Sequence, residues 1–129
     1  MNKLRVLVVD DNQPAAETLA IFFELEGFET ETAADGEEAV EKVESGAFDL
    51  IIMDIGMPRL DGCEASKRIR ALGLEKEPVL VALSGWSTEK DLERTREAGM
   101  VAHLVKPVEP DHLRSLLEDL GMRNGGGGD

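Results

Sequence analysis

Residues 49–62 read DLIIMDIGMPRLDG. The first seven, DLIIMDI, are an apolar run interrupted near its end by one acid, Asp54. Such a run is expected of a strand covered on both faces. Gly56, Met57 and Pro58 follow as a loop and Asp61-Gly62 as a turn; Ala65, Ile69 and Leu72 then line a helix that ends around Gly73. The fold depends on whether the flanking sequence repeats this alternation of buried strand and amphipathic helix.

It does. Residues 4–9 are a second continuous apolar run, ended by Asp10, Asp11 and Asn12. Ala16, Leu19, Ala20 and Phe23 then recur at helical spacing, with Pro14 in the first turn and Gly27 as the stop. Residues 28–33 alternate charged and less polar side chains, as a strand nearer an edge does. Asp35-Gly36 turns the chain into a helix carrying Ala39, Val40 and Val43, closed by Ser45-Gly46. On the other side, Pro78 introduces a strand at 79–83 that ends in Ser84-Gly85. A polar helix from about 88 to 98 has Leu92 as its main apolar anchor, and Gly99 precedes a short strand at 102–105. Lys106-Pro107 leads into a last helix with Leu113, Leu116, Leu117 and Leu120. Five strands alternating with five helices predict an α/β fold: a doubly wound parallel sheet with helices on both faces. Ligands of such sheets sit outside the carboxyl ends of the strands.

Composition agrees with one soluble domain. The chain has 129 residues, 42% apolar and 32% charged, and no apolar stretch approaches the roughly 18 residues needed to span a bilayer. A domain at 1–121 and a flexible glycine-rich tail at 122–129 are expected. The amino terminus lacks a cleavage site and reads as a strand rather than a signal peptide. Cys63 is the single cysteine. It cannot form an intramolecular disulfide, which points to the cytoplasm, and it reads as a small buried apolar residue without a role. Twenty-seven acidic residues against 14 basic ones give a net charge of −13, which opposes direct binding to nucleic acid.

The strands finish in a telling way. Val9 gives way to Asp10-Asp11, Met53 to Asp54, Leu83 to Ser84 and Val105 to Lys106. A parallel sheet puts all four ends on one edge, so three carboxylates, a hydroxyl and an ammonium group are expected in one crevice. Two carboxylates about 4 Å apart repel by roughly 4 kcal/mol at an effective dielectric near 20, so three of them recruit a cation or shift their pKa values upward. Hard oxygen ligands with no neighbouring His or Cys favour magnesium over zinc, and magnesium keeps room for a phosphate.

From residue 4 to about residue 120 the chain resembles the receiver domain of two-component response regulators. The resemblance rests on Asp10-Asp11, the DIGMPRLDG segment from Asp54 to Gly62, Ser84, Lys106 and Pro107. It implies a flavodoxin-like sheet of order 2-1-3-4-5, with Asp54 as the phosphoacceptor. It also implies that Mg2+, for which Mn2+ can substitute, is held by Asp11, Asp54 and the backbone carbonyl of Gly56, with Asp10 acting through water. Ser84 and Lys106 would bind the phosphoryl oxygens, and the Lys106-Pro107 peptide would be cis. The implied donor is a phosphohistidine on a histidine kinase or histidine phosphotransfer protein. Only a short tail follows the last helix, so output is expected from a partner on the face of the fourth helix, fifth strand and fifth helix. DIGMP together with SGW is also similar to receivers attached to hybrid sensor histidine kinases.

Two positions depart from the family. His103 stands where a Tyr or Phe follows the switch hydroxyl of Ser84, and a change of its rotamer on phosphorylation is the expectation tested against an inert half-exposed imidazole. Gly56, two residues after Asp54, cannot shield the site from water, whereas Trp86, two residues after Ser84, could. Alternatives remain open residue by residue. Asp10 or Asp11 could simply cap the first helix. The domain could be a pseudo-receiver that only binds proteins, or a haloacid dehalogenase-like phosphatase, although Gly56 occupies the place of the second acid that such enzymes need. A flavodoxin-like cofactor binder would share the topology, but the crevice is too acidic for a flavin phosphate.

Overall fold

In the computed structural model, which describes residues 3–57, 61–85 and 88–122, the apolar runs are strands whose successive side chains enter two different cores. The strands are β1 (Arg5–Val9), β2 (Glu29–Ala33), β3 (Leu50–Asp54), β4 (Val79–Ser84) and β5 (Ala102–Val105). Between and after them come α1 (Gln13–Leu25), α2 (Gly36–Ser45), α3 (Gly62–Ala71), α4 (Glu89–Glu97) and α5 (Pro110–Asp119). All pairings are parallel, in the order β2-β1-β3-β4-β5.

Val6, Val8, Leu50, Ile52, Val81 and Leu83 pack with Phe23 of α1 and Leu113 and Leu117 of α5. Their neighbours Leu7, Val9, Ile51, Met53, Leu80 and Ala82 pack on the opposite face with Val43 of α2 and Ile69 of α3. Side chains alternate across a strand, so a sheet with a core on each side requires every residue to be apolar. Each fully buried aliphatic side chain contributes about 1.5–3 kcal/mol relative to exposure.

The helices start where side chains can satisfy free N–H groups. Asp35 Oδ1 accepts from the Glu38 N–H at 2.8 Å, and Asp61 Oδ1 from the Glu64 N–H at 2.9 Å. At α4, Thr88 Oγ1 accepts from the Asp91 N–H at 3.1 Å while Asp91 accepts in return from the Thr88 N–H. The cap of α1 is Asn12, whose Oδ1 accepts from the Ala15 N–H at 3.1 Å; the capping alternative for Asp10 and Asp11 is therefore corrected. Thr95 is the one buried residue within α4, and Leu92 remains 38% exposed.

Boundaries shift slightly from the sequence expectation. Ser84 belongs to β4, where it lies opposite Val105 and its carbonyl accepts from the Lys106 N–H at 2.8 Å. Asp49 precedes β3, its carboxylate accepting from the Arg5 N–H at 2.8 Å. At the β2 edge, Glu31 accepts from Arg5, whose guanidinium also lies 4.6 Å from the centre of the Phe48 ring. Among the described residues no helix is long and apolar enough to cross a membrane.

Candidate functional site

Register alone assembles the site. Val9 is opposite Met53, so Asp10, the residue that follows β1, and Asp54 come to lie side by side. Asp54 is opposite Leu83 and Ser84 is opposite Val105, which brings Lys106 to the same edge. The order reverses between β1 and β3, because β2 lies outside β1 and β4 outside β3. Asp10 and Asp54 stand at that switch point, where open α/β sheets bind ligands.

Both acids are nearly out of water, Asp10 at 1% and Asp54 at 4% exposure. Asp10 Oδ1 accepts from the Asn12 N–H at 2.9 Å. Asp54 Oδ1 accepts from the Gly56 N–H at 2.9 Å, and its Oδ2 from Lys106 Nζ at 3.1 Å. Lys106 Nζ is also 3.1 Å from Asp10 Oδ2, but only as an ion pair. It is not aligned for a hydrogen bond there, and Asp10 Oδ2 is buried with no hydrogen-bond partner. Asp11 is exposed, and Asp10, Asp11 and Asp54 each offer one carboxylate oxygen within 4.8 Å of the others.

The Lys106 ammonium pairs with two of these three carboxylates, Asp10 and Asp54, which leaves the cluster with an excess of negative charge. Burial raises the pKa of Asp54 above its ordinary value; the neighbouring Asp10 carboxylate adds to the rise, while the Gly56 N–H and Lys106 oppose it. Burial lowers the pKa of Lys106, yet Asp10 and Asp54 outweigh that effect, so its net shift is upward and it stays charged. A negative excess, hard oxygen donors and an orphaned buried carboxylate oxygen together fit a divalent cation of the magnesium type.

The remaining sequence-predicted residues divide. Gly56 touches Asp54 through its N–H. Ser84 is buried at the end of β4, one residue beyond the partner of Asp54. The Lys106-Pro107 peptide is cis. His103 lies on β5 opposite Ala82, with Nε2 buried and unpartnered. Burial lowers its pKa, and the charge of Asp91 opposes the shift. Cys63 is buried, its thiol pushed up chiefly by that burial. Trp86 and Pro58 lie outside the described residues.

Sequence reasoning missed two features. Asn12 orders Asp10 through its backbone while capping α1. Beside Asp10 and Lys106 runs a largely apolar groove lined by Pro14, Thr18, Phe22, Leu83, Pro107 and Val108. Its signal was Phe22, an apolar residue of the first helix outside the periodic set of Ala16, Leu19, Ala20 and Phe23.

The family model described as response regulator receiver domain matches residues 6–118. The CAI-1 autoinducer sensor kinase/phosphatase CqsS of Vibrio cholerae is 38% identical over 110 residues, 84% of this chain and 16% of that protein. The chain thus spans only a small part of that relative. Among solved structures, the receiver domain of sensor histidine kinase PA1611 from Pseudomonas aeruginosa, with magnesium coordinated in its active site cleft, superposes with a TM-score of 0.80 at 30% identity. That match covers 92% of this chain and 97% of the other. The receiver domain of Saccharomyces cerevisiae Ssk1, co-crystallised with the histidine phosphotransfer protein Ypd1, gives a TM-score of 0.83 at 29% identity, covering 92% and 89%.

Proposed function

The chain belongs to the response regulator receiver domain family, a signalling module of two-component phosphorelays, and from that premise we propose that Asp54 accepts a phosphoryl group from a phosphohistidine donor in a magnesium-dependent step. The observation that carries the reading is the buried Asp54 carboxylate, held at one oxygen by the Gly56 N–H and at the other by Lys106, beside the partly unsatisfied Asp10.

Asp11, Asp54 and the Gly56 carbonyl would hold Mg2+ or Mn2+, with Asp10 acting through water. Held there, a divalent cation would supply countercharge to the phosphoryl oxygens and lessen the repulsion between the carboxylates. An oxygen of Asp54 forms the new bond to phosphorus as the bond to the donor imidazole nitrogen breaks, and the electron pair leaves with that nitrogen. The transition state is loose, with charge spread over the equatorial oxygens, so position and countercharge are the main requirements. Lys106 provides a fixed positive charge and Ser84 a hydroxyl donor to the same oxygens. The domain thus assists its own phosphorylation and dephosphorylation without being an enzyme in the ordinary sense.

The partners follow from the same reading. Ssk1 was captured with a histidine phosphotransfer protein, and the groove of Pro14, Phe22 and Val108 beside Lys106 gives such a donor, or a histidine kinase, an apolar surface next to the acceptor. Output passes through the face of α4, β5 and α5, where Leu92, Val101 and Val105 are exposed, with Ser84 and His103 as the switch. The phosphoacceptor unit is residues 1–121, acting in the cytoplasm.

Acetyl phosphate and Mg2+ test this directly by intact mass. The native protein gains one phosphoryl group, and Asp54→Asn or a chelator abolishes the gain. An unmodified native protein would instead establish the interaction-only pseudo-receiver.

A further inference from the structure

Gly62, the first residue of α3, is packed against the backbone of the phosphoacceptor itself. A Cβ built on it would stand 2.3 Å from the carbonyl oxygen of Asp54, 2.9 Å from the Asp54 carbonyl carbon and 2.8 Å from Met53 Cγ. The positive-φ glycines of the described chain are Gly27, Gly73, Gly99 and Gly121, so Gly62 is not required for a left-handed backbone. What it supplies is space: the helix can rest on the peptide that joins Asp54 to Ile55. The geometry points to Gly62 as a positioning residue for phosphoryl transfer, setting the height of the Asp54 backbone through direct contact with the first turn of α3.

The reason lies in what surrounds that peptide. Its other end, the Ile55 N–H, donates to the Leu83 carbonyl at 3.1 Å, and Asp54 is held in register opposite Leu83. The contact is therefore with backbone pinned into the sheet, not with a flexible side-chain end. A methyl group at position 62 has to tip the Asp54–Ile55 peptide or lift α3. Tipping carries the Asp54 carboxylate away from Lys106 and the Gly56 N–H. Displacement of a reacting group by about 1 Å lowers rates by about 10²-fold.

This role rests on the phosphoacceptor reading, so the test reads geometry and chemistry separately. Gly62→Ala is compared with Gly99→Ala, a control at φ +93° whose added Cβ has the Arg70 side chain, not the Asp54 backbone, as its nearest neighbour. Both are studied well below their melting temperatures. In amide NMR spectra of the metal-free proteins, the Ile55 resonance should move in Gly62→Ala and stay in place in Gly99→Ala. With acetyl phosphate and Mg2+, Gly62→Ala should be phosphorylated about 10²-fold more slowly than native protein, and Gly99→Ala at nearly the native rate. An unmoved Ile55 amide, or equal rates in the two variants, overturns the role. A native protein that takes up no phosphate overturns the phosphoacceptor reading and the role with it, and the Ile55 amide then still reports whether the contact was placed correctly. Should Gly62→Ala fail to fold, Asp61→Ala carries the test. It removes the cap of α3 and the Arg94 ion pair without adding an atom near Asp54. Phosphorylation slowed about 3–10-fold supports the role, and a native rate overturns it.

Discussion

Asp10 and His103 each carry a buried polar atom without a hydrogen bond, Oδ2 in one and Nε2 in the other, but the two have different consequences. The orphaned oxygen of Asp10 sits 3.1 Å from an ammonium within a carboxylate cluster, where a cation can complete it. At His103 burial is the larger influence, and the charge of Asp91 opposes it. Its pKa in the folded protein lies below the value near 6.5 of an unfolded chain. Below that value the unfolded chain takes up a proton that the folded one resists, so His103 withdraws stability as pH falls through 6.5. Thermal melts at pH 7.5 and 5.5 should show a larger loss for the native protein than for His103→Phe. Equal losses would mean that the imbalance at Nε2 is relieved by water. Position 103 thus differs from a phenyl ring in chemistry as well as shape, a point the sequence raised without deciding, because burial of a single ring atom depends on tertiary packing that periodicity does not fix.

At the scale of elements, α4 is the weak member. Its first turn is closed by the reciprocal bonds of Thr88 and Asp91, while Thr95 is its one buried residue. Local capping therefore carries an unusual share of its stability. Thr88→Ala should destabilise the helix by about 1 kcal/mol, and hydrogen exchange should quicken over residues 89–97 while β4 remains protected. Uniform loss of protection across the sheet would show instead that α4 opens only with the whole domain. The weak apolar face of this helix was legible from its sequence, with Leu92 as the main anchor. The cap of α1 was not. Asp10, Asp11 and Asn12 are chemically equivalent candidates, and only the helix register, which starts α1 at Gln13, selects Asn12.

For the whole molecule, the proposed cation site ties binding to folding, since the acids come together only in the native sheet. Saturation at 100 times the dissociation constant stabilises the native state by about 2.7 kcal/mol. Calorimetry should show Mg2+ raising the melting temperature of the native protein, with most of the rise lost in Asp11→Asn. An Asp11→Asn protein that responds fully would remove Asp11 from the cation site. The sequence made the alternating elements readable because the central strands of a sheet with two cores stay apolar up to their carboxyl ends, and the strand-end acids could be read as one cluster because parallel strands share an edge. The close approach of Gly62 to Asp54 stayed hidden, since a glycine after an aspartate looks like a turn until space is measured. Synthesis from the amino terminus has a further consequence for a site built across the sheet. On the ribosome, residues 10 and 54 are made well before residue 106, so the crevice cannot complete its balance of charge until its lysine has been made. The last strand to emerge delivers that charge.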